Sequence, residues 1–159
     1  MKRKPPPKYR YTILDEMMAS PTDTLPESHI TSQLNAMWSG LTELETGANP
    51  SREHWAVCSD SVNLLETLVL KRQVEDGQGL LQDAITALAQ AGQRSVKGMP
   101  LRLSGPGIQA VRAVLEDYSS VIEQLPARIM IRAHRLTERR IREISQGKRR
   151  AHDVEVVAL

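Results

Sequence analysis

The stretch SGPGIQAVRAVLEDYSSVIEQL, residues 104–125, decides the fold. Ile108, Val111, Leu115, Tyr118, Ile122 and Leu125 recur at alternating steps of three and four residues, which places them on one face of a helix. Ser104 stands where an N-cap belongs, and Pro106 follows in the first turn, where its missing N–H is not needed.

The same period extends outward in both directions. A helix from about Pro26 to Gly47 carries Ile30, Leu34, Met37, Leu41 and Leu44 on one face, with Trp38 beside them. A second opens at Asn49-Pro50-Ser51 and presents Trp55, Cys58, Val62, Leu65 and Val69. A third runs from about Pro126 to Gly147, where glycine suits a left-handed cap. A shorter, Ala-rich helix lies between Asp76 and Gly92, and the Gly- and Pro-dense stretch 92–107 reads as the largest loop. Thr12 and Asp15 form a capping-box-like pair ahead of ILDEMMA, a short helix that Pro21 helps to stop.

No sustained strand alternation interrupts this pattern. The core must be aliphatic, because the aromatics are only Trp38, Trp55, Tyr9, Tyr11 and Tyr118. An aliphatic core suits helices packed on helices. The expectation is an all-α, single-domain bundle of about five helices over residues 12–147. A flexible basic Pro-rich arm, 1–11, precedes it, and a short tail, 148–159, follows. DVEVVAL at the end reads as a short strand or an extended segment packed on the bundle. A chain of 159 residues buries roughly 70% of its unfolded surface in one such domain.

Cys58 is the only cysteine, which points to a reducing compartment, and MKRKPPP has prolines where a signal peptide needs an apolar run. No apolar stretch approaches the ~20 residues of a membrane span. The reading is a cytoplasmic protein with no membrane partner.

A reaction is hard to assemble from these residues. His54 and Cys58 share a helix face but lack the third and fourth ligands of a zinc site, and neither CxxC nor HExxH spacing occurs. The simpler reading makes His54 a helix-start residue and Cys58 a small core residue. LSGPGIQ resembles a phosphate loop in its glycines, but lacks the Walker lysine. No enzyme, cofactor or metal is expected.

Charge is more informative. Residues 1–10 carry five Lys/Arg and no acid, residues 11–127 carry seven against fifteen Asp/Glu, and residues 128–159 carry nine against four. In RIMIRAHRLTERRIREI, Arg128, Arg132, Arg135, Arg139 and Arg142 fall within an arc of about 80° on a helix. Leu136, Ile129, Ala133, Ile144 and Ile141 occupy another arc, and Arg140 lies off the ridge near the apolar side. Lys148, Arg149 and Arg150 extend the charge, and Lys4, Lys8 and Arg10 supply more from the arm.

Like charges one turn apart cost roughly 0.2–0.5 kcal/mol per pair, so the ridge as a whole costs on the order of 1–2 kcal/mol. A solvated helix face tolerates that. The functional readings are an acidic protein surface, or the acidic body of a second copy, and as the alternative nucleic acid. The acidic middle of the chain, the lack of a DNA-binding motif and the shortage of stacking aromatics favour protein.

KYRYTILDEMMASPTDTLPE, WAVCSDSVNLLETLV, GPGIQAVRAVLEDY and TERRIREI together resemble small accessory proteins carried on proteobacterial plasmids and integrative elements. That resemblance implies an accessory or regulatory factor of a mobile genetic element, for example one that inhibits conjugative transfer by binding the transfer machinery.

Overall fold

A computed structural model describes residues 10–147. Among them the regular structure is entirely helical: α1 (Ile13–Met18), α2 (Glu27–Thr46), α3 (Arg52–Leu70), α4 (Leu81–Val96), α5 (Gly105–Ile122) and α6 (Ala127–Ser145). The short capped helix and four of the five longer ones fall where the period and the caps put them, and α4 is shifted along the chain. The tail, including DVEVVAL, lies outside the described residues.

Helix α3 is the axis of the bundle and touches α2, α4, α5 and α6. Its apolar stripe, Trp55, Cys58, Val62 and Leu65, is buried, and so are Ser59, Ser61, Asn63, Leu64, Glu66, Thr67 and Leu68. A helix enclosed on nearly every side must satisfy its polar groups internally. Thr67 Oγ1 shares a 2.6 Å hydrogen bond with Thr137 Oγ1 of α6, and Arg140 donates to Thr67 Oγ1 at 3.0 Å. Arg140 also forms a buried ion pair with Glu66. Its position beside the apolar arc therefore has a use. The arginine is the counter-ion of a carboxylate on the central helix.

Local chemistry sets the helix ends. Thr12 and Asp15 close a reciprocal capping box at α1, and Ser51 with His54 closes another at α3. Pro26 and Gly47 bound α2 as expected. Gly40 brings α2 onto α3, since a Cβ there would meet Val57 Cγ2 at 2.7 Å and the His54 carbonyl at 3.0 Å. Trp55 Nε1 donates to the Leu88 carbonyl at 2.8 Å and ties α3 to α4.

Two boundaries differ from the sequence reading. Helix α4 starts at Leu81, whose N–H donates to the Asp76 carboxylate at 3.4 Å, and it continues through the 92–96 stretch assigned to a loop. Gly92 is buried inside the helix, and the chain leaves α4 only at Gly98, with φ 86°. Ser104 is the N-cap residue of α5, but its side chain makes no capping bond. The remaining connection is held by Leu101 and Leu103, both buried, and by Arg102, which donates to the Glu45 and Gly47 carbonyls at the end of α2. Those are the acceptors a helix terminus leaves open.

Removing one member of a buried ion pair typically costs about 3–5 kcal/mol. Arg140→Met is therefore expected to lower unfolding stability in urea by about 3 kcal/mol or more, and adding Glu66→Gln to restore part of it. A loss below about 1 kcal/mol would mean the pair contributes little.

Candidate functional site

Helix α6 begins against the loop after α1. The Arg128 and Ala127 N–H groups donate to the Ser20 and Asp23 carbonyls at 3.0 and 2.8 Å, so its first turn is capped by backbone. Arg128 returns the favour with its side chain, donating to the Ala19 and Met17 carbonyls at 3.2 and 3.0 Å. Each helix end satisfies groups of the other.

One turn further along, Glu16 of α1 is buried between two arginines. Arg135 Nη1 lies 2.9 Å from its Oε1 and Arg132 Nε 3.5 Å from its Oε2. Glu16 is the one buried residue of α1. The apolar residues of the same helix face outward: Ile13, Leu14, Met17 and Met18 are 55%, 62%, 64% and 78% exposed. They form two i, i+4 pairs on one face. Helix α1 is thus inside out, with its acid anchored in the protein and its large apolar side chains in solvent.

This changes what the arginine ridge is. It stands opposite the core-facing side of α6, as its arc requires, but α1 lies across its first half. Arg128 and Arg135 are half-buried and engaged, while Arg132 remains 63% exposed beside its ion pair. Arg139 is exposed, with no hydrogen-bond or ion-pair partner among the described residues, and Arg142 is half-buried. Lys4, Lys8, Lys148, Arg149 and Arg150 lie outside the described residues. The packed seam of α6 is also rotated from the expected one. Met130, Ile131, Ala133 and Thr137 are buried, whereas Ile129, Leu136, Ile141 and Ile144 are half-buried.

Between α1 and α6 runs a groove of about 580 Å³ whose lining includes Ile13, Glu16, Arg132, Leu136 and Arg139. A second groove, of about 290 Å³, continues from Arg132 and Leu136 to Leu68 and Lys71 at the end of α3. Apolar and cationic side chains therefore alternate around this side of α6.

The end of the expected arm is laid on the bundle. The Arg10 N–H donates to Glu138 Oε1 at 3.3 Å, and its guanidinium carbon sits 5.8 Å from the Tyr11 ring centroid. The Tyr11 ring is 5.3 Å from that of His134. Here the four-helix junction opens as a cleft of about 230 Å³, which Arg10, Gln33, Asp60, Tyr118 and His134 help to line. Tyr118 OH donates to Gln33 Oε1 at 3.3 Å, and Gln33 Nε2 lies 3.3 Å from His29 Nε2. Asp60 reaches solvent through the mouth. Enclosure by the surrounding atoms nevertheless raises its carboxyl above the usual range, with Arg10 opposing the shift and Glu138 adding to it. Burial, helped by the Arg10 and His29 charges, pushes His134 down to about 3, so its ring is neutral, and its Nε2 is buried without a hydrogen-bond partner.

The sequence reading missed this convergence because its members come from five separate segments. It also missed the outward face of α1, whose signal was present in the pairs Ile13/Met17 and Leu14/Met18.

Elsewhere, Cys58 is fully buried, its thiol contacts the Met37 carbonyl at 3.7 Å, and burial pushes it up to about 12. The His54 Nδ1 is taken by Ser51. Among the described residues no group of three or more His, Cys, Asp or Glu is placed to hold a metal ion, and no helix is long and apolar enough to cross a membrane. The chain matches no known protein family, no curated protein and no solved structure.

Glu16→Gln keeps the shape of the clamp and removes its charge. Because both arginines are partly solvated, the expected cost is about 1–2 kcal/mol. It should appear as faster amide hydrogen exchange in α1, with the α3 and α5 amides unchanged. Equal exchange in wild type and variant would show that the ion pairs do not hold α1.

Proposed function

We propose that the protein is a non-enzymatic binding factor that recognises an acidic, amphipathic segment of another protein. Its recognition face is α1 together with Arg132 and Arg139 of α6. The observation that carries the reading is the inverted helix α1, which leaves four large apolar side chains in solvent beside exposed guanidinium groups.

Folding gains nothing from that exposure. A contiguous apolar patch rimmed by charge is the usual mark of a protein contact. The rim selects the partner's sign. Arginine forks bind carboxylates in pairs and give up hydration readily, while Leu14, Met17 and Met18 require an apolar surface opposite them. A helix carrying Leu or Ile on one stripe and Glu or Asp along its flanks meets both demands.

Nucleic acid on the same arginines is the competing reading. Three of the five ridge arginines, Arg128, Arg132 and Arg135, already serve α1, and methionine and leucine offer nothing to a phosphate backbone. A regulator of a mobile genetic element that acts by contact, such as an inhibitor of conjugative transfer, is the form of this proposal that the resemblance implies.

Selection from a random peptide display library tests this directly. Wild type should enrich peptides that combine Leu, Ile or Met with Asp or Glu, and the variant Leu14→Ser, Met17→Ser, Arg132→Gln, Arg139→Gln should lose them. All four positions are exposed, and Arg135 still holds Glu16 at 2.9 Å, so the fold and the seat of α1 are expected to survive. Failure to enrich any acidic class, together with salt-sensitive binding of duplex DNA that the variant loses, would overturn the proposal in favour of nucleic acid. A wild-type dimer that the variant lacks would instead make the partner a second copy.

A further inference from the structure

The cleft at the junction of α2, α3, α5 and α6 is separate chemistry from the α1 face. Two opposite charges, Arg10 and Asp60, line it, yet no ion pair joins them among the described residues. The Arg10 charge is felt by Asp60, Tyr118 and His134, and the Asp60 charge by Tyr118. Ser32, Gln33, Ser61 and Tyr118 add neutral hydrogen-bonding groups to the lining, and Ala36, Val57 and Leu64 supply an apolar part of the wall.

We propose that this cleft binds a small α-amino acid as its zwitterion, with Asp60 holding the ammonium, Arg10 holding the carboxylate, and the short side chain against Ala36, Val57 and Leu64. The volume of about 230 Å³ is below the ~300–1,000 Å³ of sites for drug-sized ligands, which excludes nucleotides and long peptides. A simple anion would meet Arg10 but also the carboxylates of Asp60 and Glu138. A simple cation would meet Asp60 but also Arg10. Only a ligand with both charges satisfies both sides, and charge-assisted hydrogen bonds make that match count. The cleft is also short of partners: Glu138 Oε2 and His134 Nε2 are buried beside it with none.

The test is an NMR titration of the full chain, following the Tyr118 ring and the Gln33 side-chain amide. The ligands are glycine, alanine and serine, with ethylamine and propionate as single-charge controls. Amino acids should shift both signals saturably, and each control should bind about tenfold more weakly or worse. Asp60→Asn and Arg10→Gln, both at exposed positions, should each weaken amino-acid binding by a similar factor while circular dichroism stays unchanged. No saturable shift with any standard amino acid would overturn the proposal. Ethylamine or propionate binding as well as alanine would also overturn it, as would full binding in both variants.

Discussion

The buried carboxylate of Glu16 determines which face this molecule shows. A six-residue helix has little stability of its own, and α1 is held chiefly by α6. Had α1 packed by its apolar side, Ile13, Leu14, Met17 and Met18 would be core and the arginines of α6 would be a solvated ridge. Arg132 and Arg135 close on Glu16 instead, and Arg128 takes the carbonyls at the end of the helix. One internal charge contact therefore fixes two surface properties together, an outward apolar face and a basic rim beside it.

A similar division runs through the interior. The aliphatic stripes of α2, α3 and α5 close the core, but position on the central helix is fixed by polar pairs: Glu66 with Arg140, and Thr67 with Thr137. Apolar packing tolerates rotation of a helix more readily than a buried ion pair does. This explains why the packed side of α6 is rotated relative to its apolar arc. Helix α6 is oriented by what Arg140 and Thr137 must reach, and Ile129, Leu136, Ile141 and Ile144 take the partly exposed places that remain.

Periodicity made most of the fold legible. The stripe from Ile108 to Ile122 lies in the core almost without exception, and Pro26, Gly47, Ser51 and Pro126 cap the helices they flank. The parts that escaped the sequence depend on contacts between distant residues. Glu16 meets Arg135 across 119 positions, and Arg140 meets Glu66 across 74. No local pattern marks an acid as the anchor of a helix. The arginine ridge was legible as a ridge, but its first half proved to be the seat of α1. The cleft was invisible for the same reason, because Arg10, Gln33, Asp60, Tyr118 and His134 belong to five segments. Tyr11 connects the two regions, lining the α1 groove while its ring lies against His134.

In the function proposed, the apolar face of α1 and the basic rim of α6 act as one protein-binding surface. Methyl NMR reads it most directly, because Met17 and Met18 lie on that face whereas Met37 and Met130 are buried. The protein would be titrated with a helical peptide patterned in Leu and Glu, and separately with duplex DNA at low salt. The peptide is expected to shift the Met17 and Met18 methyls, to leave Met37 and Met130 unmoved, and to lose its effect when Arg132 and Arg139 are both changed to Gln. Methyls of Met17 and Met18 that respond to DNA and ignore the peptide would contradict it.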